Sequence, residues 1–304
     1  MPIKALAERK LETTNAVTEI SSQGSASRDE RSAFGESPRW HDGRLWFCNW
    51  GTGQIIAVDA DGNSQVMLTV PATLPYSIDW LPDGRLLVAC GREGLVLRQE
   101  ADGTLVTHAD LRHLSGNPWN EIVVDGRGNI YVNGGGPAPA PGQHFGPGAI
   151  VLIAPDGSVR QVADKIAFAN GMAVTPDNKT LIVAESHANR LTAFDLAADG
   201  SLANRRRWAD LGNGFPDGIC LDSEGAIWYA DVPNRHCVRV REGGVMLESV
   251  DADRGCFACM LGGADGKTLF IVAAEWRGFE HMISDVRTGQ VLSIEVSAPG
   301  AGWP

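Results

Sequence analysis

Short apolar runs alternate with Asp- and Gly-rich turns along almost the whole chain, and one arrangement of the two recurs six times. The first three copies are Asp42-Gly43-Arg44-Leu45-Trp46-Phe47, Asp83-Gly84-Arg85-Leu86-Leu87-Val88 and Asp125-Gly126-Arg127-Gly128-Asn129-Ile130-Tyr131-Val132. The others are Asp177-Asn178-Lys179-Thr180-Leu181-Ile182-Val183, Asp222-Ser223-Glu224-Gly225-Ala226-Ile227-Trp228-Tyr229 and Asp265-Gly266-Lys267-Thr268-Leu269-Phe270-Ile271. Their leading aspartates lie 41, 42, 52, 45 and 43 residues apart, the spacing of four-stranded propeller blades. In each copy a short apolar strand such as Gly218-Ile219-Cys220-Leu221 enters the turn, and a strand rich in aromatic and β-branched residues leaves it.

A third strand follows, as at Ile55-Ile56-Ala57-Val58 and Leu191-Thr192-Ala193-Phe194, then a second Asp-Gly turn and a more polar fourth strand. No helical period persists over a useful length. The pattern predicts an all-β fold, a six-bladed β-propeller of four-stranded antiparallel blades, spanning residues 14–304 after a polar segment at 1–13. Blade six has no evident fourth strand after Val291-Leu292-Ser293-Ile294-Glu295-Val296. A strand around Ala16-Val17-Thr18-Glu19-Ile20 is expected to complete it, so that the two chain ends close the ring and leave no open sheet edge. The long third interval holds a Gly- and Pro-rich insertion from Gly134 to Gly148, containing His144, expected to form a loop over one channel mouth.

Composition narrows the function classes. A hydrophobic content of 43% supports a large core. The formal net charge of −11 argues against nucleic acid and anionic membranes as partners, and Arg205-Arg206-Arg207 reads as a solvated turn or outer strand. No run approaches the ~20 apolar residues of a membrane helix, and residues 1–30 do not resemble a secretory signal. The six cysteines are irregularly spaced, which fits reduced thiols and a cytoplasmic location. Cys256 and Cys259 have C-x-x-C spacing, but no second pair completes a zinc site in sequence, so they read as small buried hydrophobes.

The first strand of each blade lines a propeller's channel, so residues near its start converge from distant parts of the chain. Stepping back five to seven residues from each leading Asp gives Glu36, Ser77, Asn120, Asn170, Asp217 and Ala258. Four of these carry carboxylate or amide oxygens, and no Lys or Arg occupies the other two places. Buried carboxylates near one another need a compensating positive charge. One divalent cation supplies it, and an all-oxygen donor set favours calcium or magnesium.

At these residues the chain resembles the SMP-30/gluconolactonase/luciferin-regenerating family. The carriers are Phe34-Gly35-Glu36-Ser37-Pro38-Arg39-Trp40, Asn120-Glu121-Ile122-Val123-Val124-Asp125, Asn170-Gly171-Met172-Ala173-Val174-Thr175-Pro176-Asp177, Pro216-Asp217-Gly218-Ile219-Cys220-Leu221-Asp222 and Phe257-Ala258-Cys259-Met260-Leu261-Gly262-Gly263. The resemblance covers about Phe34 to Pro304. It implies a six-bladed propeller with Glu36, Asn170 and Asp217 as metal ligands, and with Asn120 as a fourth ligand or a substrate contact. The metal it implies is calcium in the first place, with zinc, manganese and magnesium as alternatives. It also implies lactone hydrolysis, the cation stabilising the developing oxyanion and Asp217 acting as general base or as nucleophile. Family members acting on sugar lactones tend to carry an Arg where this chain has Pro118, followed by Trp119, which points to a more apolar or aromatic substrate.

The expected activity is therefore a metal-dependent hydrolase acting on a small-molecule lactone or related cyclic ester. The alternatives are phosphotriester hydrolysis or isomerisation on the same scaffold, or a binding propeller with a structural cation. His187 is the candidate proton shuttle, and Trp50, Trp119 and Trp276, which fall in turns rather than on blade strands, are candidate walls of the substrate pocket. The run Asn133-Gly134-Gly135-Gly136-Pro137 lacks the Lys and helix start of a phosphate-binding loop.

Overall fold

The computed structural model describes residues 18–19, 34–137, 145–278 and 287–302; the 1–13 segment, Ala16, Val17, Ile20 and His144 lie outside them. The described strands form six four-stranded antiparallel sheets, the blades of a six-bladed β-propeller. Blade one runs through Gly35–His41, Arg44–Asn49, Gln54–Val58 and Ser64–Thr69. The remaining inner strands are Tyr76–Trp80, Trp119–Val124, Ala169–Val174, Pro216–Leu221 and Gly255–Gly262. These six inner strands touch in ring order, with the sixth against the first.

Turn chemistry sets the register. In blade one His41 pairs with Arg44 across Asp42 and Gly43, whose φ angles of 48° and 72° are both left-handed. A two-residue loop of this kind matches the twist of the strands it joins, and Asp-Gly is suited to it. Burial then grades from the axis outward: blade two's second strand is wholly buried, whereas blade one's fourth strand is exposed or half-buried throughout. Arg205, Arg206 and Arg207 lie on the outermost strand of blade four, Leu202–Asp210, where all three are exposed. The outer-strand reading of that basic run holds.

Blades adhere through apolar faces. Leu45, Trp228, Cys237, Leu269 and Ile271 are all fully buried in one cluster shared by blades one, five and six, each large side chain contributing about 1.5–3 kcal/mol on burial. Blade six is completed by the N-terminal strand Thr18–Glu19, with Thr18 opposite Ser293 and Glu19 opposite Leu292. The ring thus closes by pairing the two ends of the chain. Among the described residues no helix is long and apolar enough to cross a membrane.

Candidate functional site

The inner strands begin at one end of the propeller, and there the β-ladder breaks. In blade three Trp119 pairs with Gly134 but Ile122 with Val132; in blade four Ala169 pairs with Glu185 but Met172 with Val183. In blade five Pro216 pairs with Asp231 but Ile219 with Tyr229. Each inner strand therefore carries one extra residue at the same place, and Asn120, Asn170 and Asp217 are the first residues inside these bulges. A bulge re-aims a side chain relative to its sheet. Blade one is built differently, because Ser37 there adopts a left-handed φ of 51°, with the ladder broken between Glu36 and Arg39. Blade two has no break, and Ser77 stays in register opposite Ala89.

These bulges bring the oxygens together. Asn120 Nδ2 donates to Asn170 Oδ1 at 3.4 Å and to the Ala169 carbonyl at 3.3 Å. Asn133 Nδ2 fixes the Asn170 carbonyl at 2.5 Å, and Asn170 hydrogen-bonds Asp217. Burial raises the Glu36 carboxyl well above its usual range, and the charges of Asp217 and Glu121 raise it further. Asp217 is likewise raised, first by burial and then by Glu121 and Asp231, against the pull of Asn170. Asp217 Oδ1 is buried with no hydrogen-bond partner. Two desolvated carboxylates that repel each other, one with an orphaned oxygen, lack a positive charge.

The donor set fits a hard divalent cation. Glu36 and Asp217 supply two charged oxygens and Asn120 and Asn170 supply amide oxygens, so all four donors are of the hard kind. Among the described residues no group of three or more His, Cys, Asp or Glu is arranged to hold a metal; this cradle takes half its donors from amides and is not such a group.

Directly beneath lies a network that the sequence reading missed. Arg39 is buried at 5% exposure, its Nη2 donating to Glu121 Oε1 at 3.2 Å and to the Ile122 carbonyl at 2.6 Å. Arg39 Nε stands 3.9 Å from Asp79, which also accepts the backbone N–H of Val124 at 2.7 Å. Ser37 Oγ donates to Glu121 at 2.9 Å and accepts the Ile78 N–H at 3.1 Å. Blades one, two and three are thereby tied through buried polar groups. Ser77 and Ala258 hold the other two places in the ring, so no Lys or Arg stands in that row, but Arg39 stands three residues from Glu36. The visible signal was an Arg in a strand whose neighbours are apolar and buried.

The aromatic candidates separate. Trp50 lies in blade one's turn at this mouth, half-buried, its Nε1 donating to the Tyr76 carbonyl at 2.7 Å, and its ring stacks on Phe34 at 5.6 Å. Trp119 does not line the pocket. Its side chain is 2% exposed and packed in the core between blades two and three, because successive strand residues face opposite sides and Asn120 takes the channel side. His187 follows blade four's second strand in a short 3-10 turn at Ser186–Ala188. It is exposed at the same mouth, and its ring stacks on Phe168 at 4.5 Å, which stacks in turn on Phe145 from the insertion at 4.9 Å.

The cysteines are less scattered than their sequence positions suggest. Cys220 Sγ lies 4.0 Å from Cys259 Sγ, and Cys237 interacts with both Cys256 and Cys259. All four are buried in the packing between blades five and six. Burial pushes the Cys220 and Cys237 thiols up, whereas Cys259, pushed up by burial, is drawn down to about 5 by its hydrogen bonds with Cys220 and Cys237. The burial of Cys256 and Cys259 suits small buried hydrophobes, and the lowered Cys259 thiol does not follow from burial alone.

Known proteins resemble this chain along most of its length. The sequence pattern of the SMP-30/Gluconolactonase/LRE-like region matches residues 34–275. A regucalcin from Xenopus laevis is 26% identical, over 88% of this chain and 94% of its own length. A 6-deoxy-6-sulfogluconolactonase from Pseudomonas putida is 25% identical, over 90% of this chain and 94% of its own. The fold is shared with the crystal structure of a calcium-binding protein, regucalcin from Agrobacterium tumefaciens, with a TM-score of 0.76, 20% identity, and coverage of 95% of this chain and 97% of that one.

Proposed function

The chain belongs to the SMP-30/gluconolactonase/LRE-like family, and on that premise we propose that it is a divalent-metal-dependent hydrolase that opens a lactone or related cyclic ester at the mouth of its central channel. The observation that carries this is the pair of buried, mutually raised carboxylates, Glu36 and Asp217, set beside two amides with no cation of their own. Glu36, Asn120, Asn170 and Asp217 are the residues that hold the ion, and calcium suits oxygen donors of this kind. The names of the relatives support the same reading: one is a lactonase and another a calcium-binding protein.

A cation held there supplies Lewis-acid stabilisation for negative charge developing on the carbonyl oxygen. The protein's own groups supply the rest. Asp217 Oδ1, without a hydrogen-bond partner, is free to take a proton from the attacking water, or to attack the acyl carbon itself and form an acyl-enzyme that water then hydrolyses, restoring the carboxylate. Ring opening then breaks the bond between the acyl carbon and the ring oxygen, and that oxygen must gain a proton. His187, exposed at this mouth, is the group that delivers it. Asn170, fixed by Asn133 and hydrogen-bonded to Asp217, orients the carboxylate.

The test is a panel of sugar, alkyl and aryl γ- and δ-lactones. Each is assayed with EDTA-stripped protein before and after adding calcium, magnesium, manganese or zinc. Turnover should require metal and fall about a thousandfold or more in Asp217→Asn. Loss of a proton donor in His187→Ala should lower kcat about a hundredfold and flatten the pH–rate profile. Metal-independent turnover, or an active Asp217→Asn protein, would overturn the reading.

A further inference from the structure

We propose that Ser186 and Asn189, on either side of His187, are positioning residues that hold Asp217 and His187 at a fixed offset across the seam between blades four and five. This rests on the lactonase reading and deepens it. The turn carrying His187 follows blade four's second strand, Thr180–Glu185. Ser186–Ala188 make a single 3-10 turn, and Asn189 closes it with left-handed φ and ψ of 51° and 43°, a conformation asparagine adopts more readily than most residues. Both residues then reach across to blade five. Ser186, 7% exposed, donates through Oγ to the Pro216 carbonyl at 2.6 Å. Asn189 Nδ2 donates to the Gly214 carbonyl at 2.6 Å, and the Leu211 N–H returns to the Asn189 carbonyl at 2.9 Å. The segment held in this way, 211–216, runs directly into Asp217.

The same turn is tied on its other side. The N–H groups of Ser186 and His187 donate to the Phe168 and Ala167 carbonyls at 3.2 and 3.1 Å, and Glu185 Oε2 accepts the Ala167 N–H at 2.8 Å. That segment leads into Asn170. One turn thus braces the approaches to two of the four cradle residues and carries the proton donor between them. The brace matters because the Asp217 side chain is lightly held. Its Oδ1 has no hydrogen-bond partner, and Asn170 supplies the side-chain hydrogen bond that acts on it. The place of the carboxylate therefore depends on the backbone beneath it. Proline has no N–H, so the backbone of Pro216 can be held by hydrogen bonding only through its carbonyl, the group that Ser186 takes. On the blade-five side Asp231 Oδ2 accepts the Phe215 N–H at 2.8 Å, which ties the loop to its own blade. The bonds from Ser186 and Asn189 are what relate Asp217 to His187.

The experiment compares wild type with Ser186→Ala, Ser186→Thr and Asn189→Gly, the last keeping the left-handed backbone while removing the amide. Calcium affinity is measured by calorimetry on EDTA-stripped protein, and kcat and KM for δ-valerolactone and dihydrocoumarin are measured at saturating calcium. Ser186→Ala and Asn189→Gly should each weaken calcium binding about tenfold. With calcium saturating, kcat should stay about tenfold or more below wild type while KM is unchanged. Ser186→Thr, which keeps the hydroxyl, should recover most of both losses. In a His187→Ala background Ser186→Ala should lower kcat less than it does in the wild type, because the offset it sets has lost one of its ends. Wild-type calcium affinity and kcat in both Ser186→Ala and Asn189→Gly, with lactones still hydrolysed, would overturn the brace and leave the hydrolase standing. A kcat that recovers fully once calcium saturates would overturn the fixed offset. Calcium binding weakened in both variants, while no lactone is hydrolysed by the wild type, keeps the hold on Asp217 and removes the hydrolase.

Discussion

Two pairs of buried carboxylates lie one layer apart in the channel, and the fold treats them differently. Glu121 and Asp79 share Arg39, whose guanidinium contacts Glu121 at 3.2 Å and stands 3.9 Å from Asp79. Burial still pushes Asp79 up to about 6, against the pull of Arg39 and of the backbone N–H groups of Trp80 and Val124. Glu36 and Asp217, at the mouth, have one another, Glu121 and, for Asp217, Asp231 as the charged neighbours that raise them, and no arginine among the groups acting on them. A chain able to place a cation three residues from Glu36 has left the upper pair uncompensated. The lower pair is thus tied into the scaffold through Arg39, although Arg39 Nε itself makes no hydrogen bond, and the upper pair is where, on the proposed reading, a divalent cation would bind.

The comparison breaks most forcefully at Arg39. Removing the cation from a buried network strands its carboxylates, and Arg39→Met should cost about 3–5 kcal/mol in urea unfolding with EDTA present. Asp217→Asn in the same buffer should leave stability equal or raise it, because it removes repulsion rather than compensation. If both substitutions destabilise alike, the two pairs are equivalent and the contrast drawn between them fails.

Calcium should act on the upper pair alone. At a concentration a hundredfold above its dissociation constant it should add about 2.7 kcal/mol to the wild type, and far less to Asp217→Asn. The effect should depend on pH with a definite sign. Carboxyls raised in the folded state bind protons that the unfolded chain has released, so their contribution is present at low pH. It is lost as pH rises from the ordinary carboxyl value near 4 through the raised values of Glu36 and Asp217. Unfolding followed from pH 4 to 8 in EDTA should show that decline, and saturating calcium should flatten it. Groups lowered by folding, such as Glu185 beside Arg190 and Arg205, slope the other way but contribute equally with and without calcium, so the difference between the two curves reports the mouth.

Much of this was legible in the sequence because propeller blades repeat. The six Asp-led turns carry the blade number, and the missing fourth strand of blade six points to the N-terminal strand that pairs with Ser293 and Leu292. Counting back from the turns also reached Glu36, Asn120, Asn170 and Asp217, three of which begin bulges. That count could not reveal the bulges, since an extra residue in one strand shows only against its partner. The sequence pattern sets Trp119 in a turn at the pocket, whereas it opens blade three's inner strand and is buried in the core between blades. The contact between Cys220 and Cys259 joins two blades, and no spacing within one strand announces it. Arg39 was overlooked for a different reason: attention fell on a single row, whereas its charge is spent one layer below.

The most direct test is calorimetric titration of calcium into EDTA-stripped protein, for the wild type, Glu36→Gln and Asp217→Asn. The account predicts one ion per chain, with affinity reduced about a hundredfold or more by either substitution. No binding in the wild type, or equal binding in all three proteins, would contradict it.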